Sequence, residues 1–515
     1  MTSSEVLLVS HPVAFVVRGG HVMVYFDMSQ LYPTIILCIY GFFSNLRPSE
    51  PFLTAFLIGP DKNLTETEVV NEIYPIWTYS YLVLLFPVFL ATDYLCYKPV
   101  LILQAGTFVV TYVMLVKAQG VLAMQFLEFF YGLATATDIA YYSFIYSVVD
   151  PTQYQRVTGY CRSITLLGSA AGSLTGQLLV SVAQMPLFYL SVITLVSAIL
   201  AFMAPWFLPM PSKSLFFHKN HGTEEQGNLV HQIIRAPVDE AEDMESKLPL
   251  KTDDVSMVVK AGVYGDASRA SSGLVDVLRI LWVDFLQCYS CRTLLAWSVW
   301  WALSTCGYFQ VVNYAQALWE KVLPSQEFEI YNGYVETIST LLGALAAFSV
   351  GSVKVSWAVW GELAVCIFSV VMAVSVYLMD TIRNIWVCYI SYVVFRATYM
   401  LLITIATYQI AANLSMQRYA LVFGVNTFVA LLLQTVLTVV VVDTAGLSLD
   451  IFPQFLIYAS YFAVIAVIFL LAGLYNLVSS RSRRRARADY SGRTEEDCLR
   501  RDASPLNELQ PITRT

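Results

Sequence analysis

The sequence predicts an all-α polytopic membrane protein of about 12 transmembrane helices in two six-helix halves. Of its 515 residues 57% are hydrophobic and only 13% charged, where an ordinary soluble domain has about 25% charged residues. Apolar runs close to the roughly 20 residues that cross a bilayer recur along nearly the whole chain. One long polar stretch divides these runs into two sets of six.

Residues 1–30 carry a mildly apolar run at 6–17 but no basic start and no convincing cleavage site, so they read as a cytoplasmic tail. The first set of spans falls near 31–47, 76–95, 98–117, 121–148, 157–184 and 187–208, giving an N-terminal bundle over 31–208. Residues 209–285 form a linker. Its sequence "GTEEQGNLVHQIIRAPVDEAEDMESKLPLKTDD" has almost no aromatic residues, cannot build a core and is expected to be largely disordered. The second set falls near 292–318, 331–353, 356–378, 384–409, 418–442 and 452–477, within a C-terminal bundle over 286–477. A charged tail occupies 478–515. Two six-span halves around a long central loop is the plan of the major facilitator superfamily.

Loop charges orient the chain. "RSRRRARADYSGR" (481–493) places the C-terminus in the cytoplasm by the positive-inside rule, and an even number of spans puts the N-terminus there too. A stop-transfer anchor explains that basic run better than nucleic-acid binding. "NLT" at 63–65 is then an N-glycosylation sequon in an outer loop, with Asn63 the acceptor, whereas "NLS" at 413–415 lies inside and stays bare. The nine cysteines lie mostly in spans and none falls in the outer loop 48–73, so no disulfide framework is implied. "CYSC" (288–291) has no second pair or His cluster beside it, and neither a metal site nor a catalytic set is expected.

"FLEFFYGLATATDIAYYSF" (126–144) reads as a span except for Glu128 and Asp138. A carboxylate at mid-bilayer costs roughly 2.5–3.5 kcal/mol even on the translocon scale. At about 100° per residue, Glu128, Tyr131, Thr135, Asp138 and Tyr142 fall within roughly 80° of arc, one polar, aromatic stripe that must face a cavity. Other spans add Arg47 and Glu50 beside Pro48 and Pro51, which break the first helix. They add Tyr74, Trp77 and Tyr81 in the second span, Gln310 and Asn313 on one face of the seventh, Glu336, Glu362 and Arg396. Glu50, Glu72 and Glu362 could equally lie at interfaces, Trp77 and Trp319 in the aromatic belt, and Arg396 in a structural ion pair with a carboxylate. "GSAAGSLTG" (168–176) and "GALAAFSVG" (343–351) mark close helix contacts, either sliding surfaces or plain tight packing. Carboxylates, rings and amides together suit a flat organic cation, with cation–π attraction of about 0.5–2 kcal/mol. An anion pocket would need inward bases, and Arg396 is nearly alone.

"RPSEPF", "GPDKNLTE", "NEIYPIWTYSYLVLLFPVFLATDYL", "YQRVTGYCRS", "LPMPSKSLFFH" and "ALVFGVN" together resemble the folate and thiamine carrier family of solute carriers, over roughly 31–219 and 276–475. The resemblance implies a plasma-membrane carrier and not an enzyme, with no cofactor. Asp138 and Met416 stand where folate carriers have bases, which implies thiamine, exchanged for protons, rather than folate. It further implies contact through Glu50, Tyr74, Trp77, Glu128, Tyr131, Asn313 and Glu336, with Tyr419 a weaker candidate and Asp138 adding negative potential. Cys96 and Ser169 depart from the family pattern, at a loop contact and at a pocket-lining aromatic. A folate or pyridoxine carrier, and a multispan receptor without flux, are the alternatives.

Overall fold

The computed structural model describes residues 7–10, 13–18, 21–26, 28–95, 97–141, 144, 154–210, 274–290, 292–326, 328–352, 357–411 and 416–475. Each half contains six long helices. The first half holds α1 (Met28–Asn45), α3 (Tyr74–Tyr94), α4 (Lys98–Lys117), α5 (Val121–Ala136), α6 (Tyr154–Ser181) and α7 (Leu187–Met203), with a short α2 (Leu53–Ile58) between α1 and α3. The second half is preceded by α8 (Leu274–Tyr289) and holds α9 (Arg292–Val322), α10 (Asn332–Ser352), α11 (Trp357–Thr381), α12 (Ile385–Ala411), α13 (Met416–Leu437) and α14 (Ile451–Tyr475). Among the described residues, eight helices are long and apolar enough to cross a membrane; α1, α3, α5 and α9 are not among them.

Three elements differ from the expectation. Leu7–Ser10, Val13–Arg18 and His21–Phe26 form an antiparallel three-stranded meander where a tail was expected. The pattern "VAFVVRGGHVMVYF" supplies β-branched and aromatic residues, and Gly19-Gly20 suits a two-residue hairpin loop. The helix α8 occupies the end of the expected linker, because "LVDVLRILWVDFLQCY" has helical rather than random apolar spacing. The rest of that linker, Cys96, Tyr142 and the sequon at 413–415 lie outside the described residues. Finally, the span that begins at 121 is broken at 137–138: α5 ends at Ala136 and helix resumes at 139. Its ladder tightens to i→i+3 bonds at Asp138→Thr135 (3.2 Å), Ala140→Thr137 (3.0 Å) and Tyr141→Asp138 (3.1 Å).

Packing within each half follows one scheme. α3 and α4 lie on α5, and α1 on α6; in the second half α10 and α11 lie on α12, and α9 on α13. The halves meet along two seams, α6 against α10 and α3 against α13. Buried aromatics fill the second half, with Trp300, Trp319, Tyr392, Phe395, Phe455 and Tyr458 all under 3% exposed. Large apolar side chains such as Val83 and Phe348 point outward, as a lipid-facing belt requires.

At the end of the bundle that carries Asn63 the halves are bolted together. Lys321 reaches Glu66 at 3.1 Å and also pairs with Asp450. Tyr79 donates to Asp443 at 2.5 Å, and the Asn71 amide donates to the Val442 carbonyl. Gln177 donates to the Ile330 carbonyl at 2.6 Å and accepts from the Gly333 amide at 2.8 Å.

Candidate functional site

The chain that follows α1 sets the first wall of the site. Pro48 and Pro51 end the helix as expected, leaving a 3₁₀ turn at Glu50–Phe52 before α2. Three glycines of α6 let this segment press close. A Cβ on Gly168 would lie 2.5 Å from the Phe42 carbonyl oxygen, one on Gly172 would lie 2.6 Å from the Arg47 nitrogen, and one on Gly176 would overlap the Pro48 carbonyl. The glycine stripe is thus a seat for the α1 backbone within one half. The second stripe behaves likewise, since a Cβ on Gly343 would lie 3.0 Å from Met400 of α12.

That seat turns Arg47 inward. Its Nη1 donates to the Tyr131 hydroxyl at 3.0 Å, and Tyr131 donates in turn to Glu50 Oε1 at 2.9 Å. Arg47 lies 3.6 Å from the same Glu50 oxygen, and its guanidinium sits 4.3 Å over the Phe108 ring. Glu50 is therefore neutralised from its own half.

A cavity of about 380 Å³ lies between the halves, within the range of small-molecule sites. Tyr74, Trp77, Glu128 and Tyr131 line it from α3 and α5; Tyr308, Phe309, Asn313 and Gln316 from α9; and Glu336 and Arg396 from α10 and α12. Tyr74 hydrogen-bonds Thr54 at 2.7 Å, Trp77 donates to Thr135 at 3.2 Å, and the Trp77 ring meets Phe309 edge-on at 6.0 Å. On the far wall Glu336 pairs with Arg396 and accepts from Tyr392 at 2.7 Å.

Among the polar side chains of the wall, Glu128 and Asn313 stand out. Glu128 is 6% exposed and has no hydrogen-bond or ion-pair partner among the described residues. The amide of Asn313 likewise has none. The wall holds three carboxylates, Glu50, Glu128 and Glu336, against two guanidiniums, Arg47 and Arg396. Two acids are matched within the protein, and Glu128 is the one carboxyl of the three left without an internal counter-charge. An unmatched carboxylate among aromatic rings is a receptor for one positive charge.

The expected residues divide in three. Glu50, Tyr74, Trp77, Glu128, Tyr131, Asn313, Glu336 and Arg396 are brought to this one cavity, and Ser169 also lies in its wall. Asp138 is not in the wall. It is exposed and accepts from Gln104 at 3.0 Å, because ten residues of helix separate it from Glu128 by about 15 Å along the axis. Asn63 is exposed in its loop at φ 54°, a left-handed conformation that asparagine tolerates. The side chains of Tyr419 and Glu362 lie outside the described residues. Gln310 faces away from the cavity and donates to Thr438 at 2.8 Å. Sequence reasoning missed Gln316, three residues beyond Asn313 on the same face, and did not assign Arg47 to the wall. Asn45 of α1 also lies in this wall.

The family profile described as Reduced folate carrier matches residues 29–457. Thiamine transporter 1 of Homo sapiens is 61% identical over 455 residues, covering 87% of this chain and 90% of the relative. Thiamine transporter 2 of Homo sapiens is 52% identical, covering 88% and 92%. The Reduced folate transporter of Homo sapiens is 40% identical, covering 85% and 71%. Among solved structures, the nucleoside transporter NupG aligns with a TM-score of 0.53 at 13% identity, covering 85% of this chain and 98% of that one. A POT family transporter aligns with a TM-score of 0.56 at 12% identity, covering 88% and 96%. The fold is that of membrane transporters of the major facilitator superfamily, and the chain belongs to the reduced folate carrier family.

Proposed function

We propose that this chain takes up thiamine across the plasma membrane by alternating access, its two halves rocking about the cavity between them. Glu128 carries the reading. Its unmatched carboxyl in a ring-lined cavity fits a permanent monocation, and the high identity to proteins named thiamine transporters points to the same cation. A folate, being an anion, would add charge to a wall that already has an excess acid.

In this mechanism Glu128 meets the thiazolium charge while Tyr74, Trp77 and Tyr131 stack on the flat rings. Asn313 reads a ring nitrogen or amino group. Glu50 and Glu336, already paired, shape the field rather than supply net charge, and Asp138 adds potential from outside the wall. Carried alone, the cation would gain about 2.3 kcal/mol per 100 mV of interior-negative potential, roughly fifty-fold in accumulation, whereas one-for-one exchange with a proton moves no net charge and takes its drive from the pH gradient. Exchange for a proton is part of the proposal, because a bound cation favours the ionised form of a neighbouring acid. Both termini face the cytoplasm, and Asn63 carries a glycan on the outer side.

Uptake of radiolabelled thiamine and of a radiolabelled folate by cells expressing the full chain tests the reading. Saturable thiamine flux without folate flux is expected; binding without flux would make the protein a receptor. In vesicles held at fixed voltage, a thiamine flux indifferent to a pH gradient would remove proton exchange. Glycosidase treatment that leaves the gel mobility of the mature protein unchanged would remove the glycan.

A further inference from the structure

The turn that carries Glu50 has a gap in its backbone ladder. In an α-helix the Thr54 N–H would donate to the Glu50 carbonyl, four residues back. Here it does not, because Phe52 sits at φ −115°, ψ 10° and kinks the chain between the 3₁₀ turn and α2. The amide of Gln316, from the opposite half, occupies the gap. Its Nε2 donates to the Glu50 carbonyl at 2.9 Å and its Oε1 accepts from the Thr54 N–H at 3.3 Å. The Glu50 carbonyl already accepts from the Leu53 N–H in the 3₁₀ pattern, so the Gln316 amide adds a second donor there and supplies the acceptor that the Thr54 N–H lacks. A second amide from the same half supports the turn, since Asn332 donates to the Pro51 carbonyl at 3.1 Å while accepting from Tyr389 at 2.8 Å.

We infer that Gln316 is a positioning residue whose amide, inserted into the ladder between Glu50 and Thr54, holds the Glu50 turn kinked only while the Asn63 end of the transporter is closed. Buried backbone groups must find partners in either state. When the halves part at that end, Gln316 withdraws with its own half, and the obvious replacement is the direct Thr54 N–H to Glu50 carbonyl bond. That bond requires Phe52 to move into the helical region, which re-aims Glu50 relative to Arg47 and Tyr131. The turn is therefore a two-state element read by both the gate and the substrate wall, which is what coupling between them requires. The inference rests on the proposed function for its substrate, thiamine, but its geometry involves no ligand.

The test uses the full-length transporter with Gln316→Leu, Gln316→Glu and Asn332→Asp. The glutamate keeps an acceptor for Thr54 but loses the donor to Glu50. The aspartate keeps Tyr389 but loses the donor to Pro51. A reporter cysteine is placed at Ser173, in the cavity wall, and labelled on intact cells with a membrane-impermeant thiol reagent against the parent chain as control. Each variant is expected to raise the labelling rate several-fold. Gln316→Leu is also expected to raise the KM for thiamine uptake by about tenfold, the weight of one hydrogen bond to a charged partner's segment. Because the effect runs through Glu50, Gln316→Leu should change KM no further in a Glu50→Gln background, a non-additivity that a merely structural role would not produce. Unchanged labelling in all three variants, or additive KM changes with Glu50→Gln, overturns the inference. Should the unmodified chain carry no thiamine while labelling still rises in the variants, the substrate reading fails and the positioning role stands. Should Gln316→Leu not reach the membrane, the two isosteric variants decide by labelling alone.

Discussion

Arg396 and Glu336 form an ion pair in the cavity wall, and the Tyr392 hydroxyl takes the second oxygen of the same carboxylate at 2.7 Å. The pair is mostly out of solvent, with side-chain exposures of 13% and 18%. Removing one member of a buried pair strands the other, at about 3–5 kcal/mol, whereas replacing both by apolar groups is often neutral. Arg396→Leu is therefore expected to lower the melting temperature of the purified protein by several degrees and to abolish uptake. The double variant Glu336→Leu, Arg396→Leu should recover most of the lost stability. It should stay inactive for thiamine if the pair also shapes the substrate wall, and full recovery of uptake would assign the pair to packing alone.

Glu128 predicts the opposite pattern. It has no internal partner, so Glu128→Gln removes a desolvated charge without stranding one. Stability should hold or rise, since a buried carboxyl without a partner is unfavourable in the empty protein, whether charged or neutral. Affinity for thiamine should fall by roughly 10- to 100-fold, the loss of a charge-assisted contact of about 1.5–3 kcal/mol. Calorimetric titration of thiamine into the variant measures this directly. Binding as tight as in the unmodified protein would leave the cavity without its proposed anion.

Much of this was legible before any coordinates. Two sets of six spans, the helix break at Pro48 and Pro51, and the convergence of Glu128 and Tyr131 on one face all follow from local pattern. What local pattern lacks is distance along an axis and the identity of the neighbour. Asp138 shares the angular stripe of Glu128 but lies about 15 Å away along it, beyond the end of α5. Gln310 and Gln316 each lie three residues from Asn313, and only packing against α13 decides that the first is tied to Thr438 and the second faces the cavity. An ion pair of Arg396 with some carboxylate was legible, but that its partner is Glu336, 60 residues away, is decided by the packing of α10 on α12. The N-terminal meander was missed for a different reason. A short apolar run without charges suits a strand, a leader or a tail alike, and only the pairing of Val13–Arg18 with both of its neighbours decides for strands.

The glycine seat of α6 makes a prediction with a built-in control. Alanine favours a helix interior over glycine by about 1 kcal/mol, so Gly→Ala should stabilise wherever there is room. At Gly159 a Cβ meets nothing within 4 Å, while at Gly172 it would lie 2.6 Å from the Arg47 backbone nitrogen. Gly159→Ala should leave uptake unchanged. Gly172→Ala should displace the segment bearing Arg47 and Glu50 and reduce uptake at least about tenfold, a shift of 1.4 kcal/mol in transition-state terms, at equal surface expression. Equal activity in the two variants would show that the α1 segment is free to move off its seat.

Lys321 bridges the halves at the Asn63 end through Glu66, while Asp450 of its own half holds it there, and it is tempting to make it the lock of the gate. Magnitudes argue against that. The three side chains are 30%, 35% and 50% exposed, and exposed ion pairs contribute about 0.2–1 kcal/mol each. Lys321→Met should therefore shift the gate equilibrium by only about 1.4- to fivefold, through the one pair that crosses the halves, and less as salt rises from 0.05 to about 0.5 M because the screening length shortens. The amide contacts of Asn71 with Val442 and of Gln177 with Ile330 are buried and should hardly respond to salt. Labelling of the Ser173→Cys reporter across that salt range separates the two classes. A rate that rises with salt in the unmodified gate, but is flat in Lys321→Met, is the expected outcome. If salt has no effect on the unmodified gate, the ion triad carries no weight in closing it, and the buried amides hold the halves together by themselves.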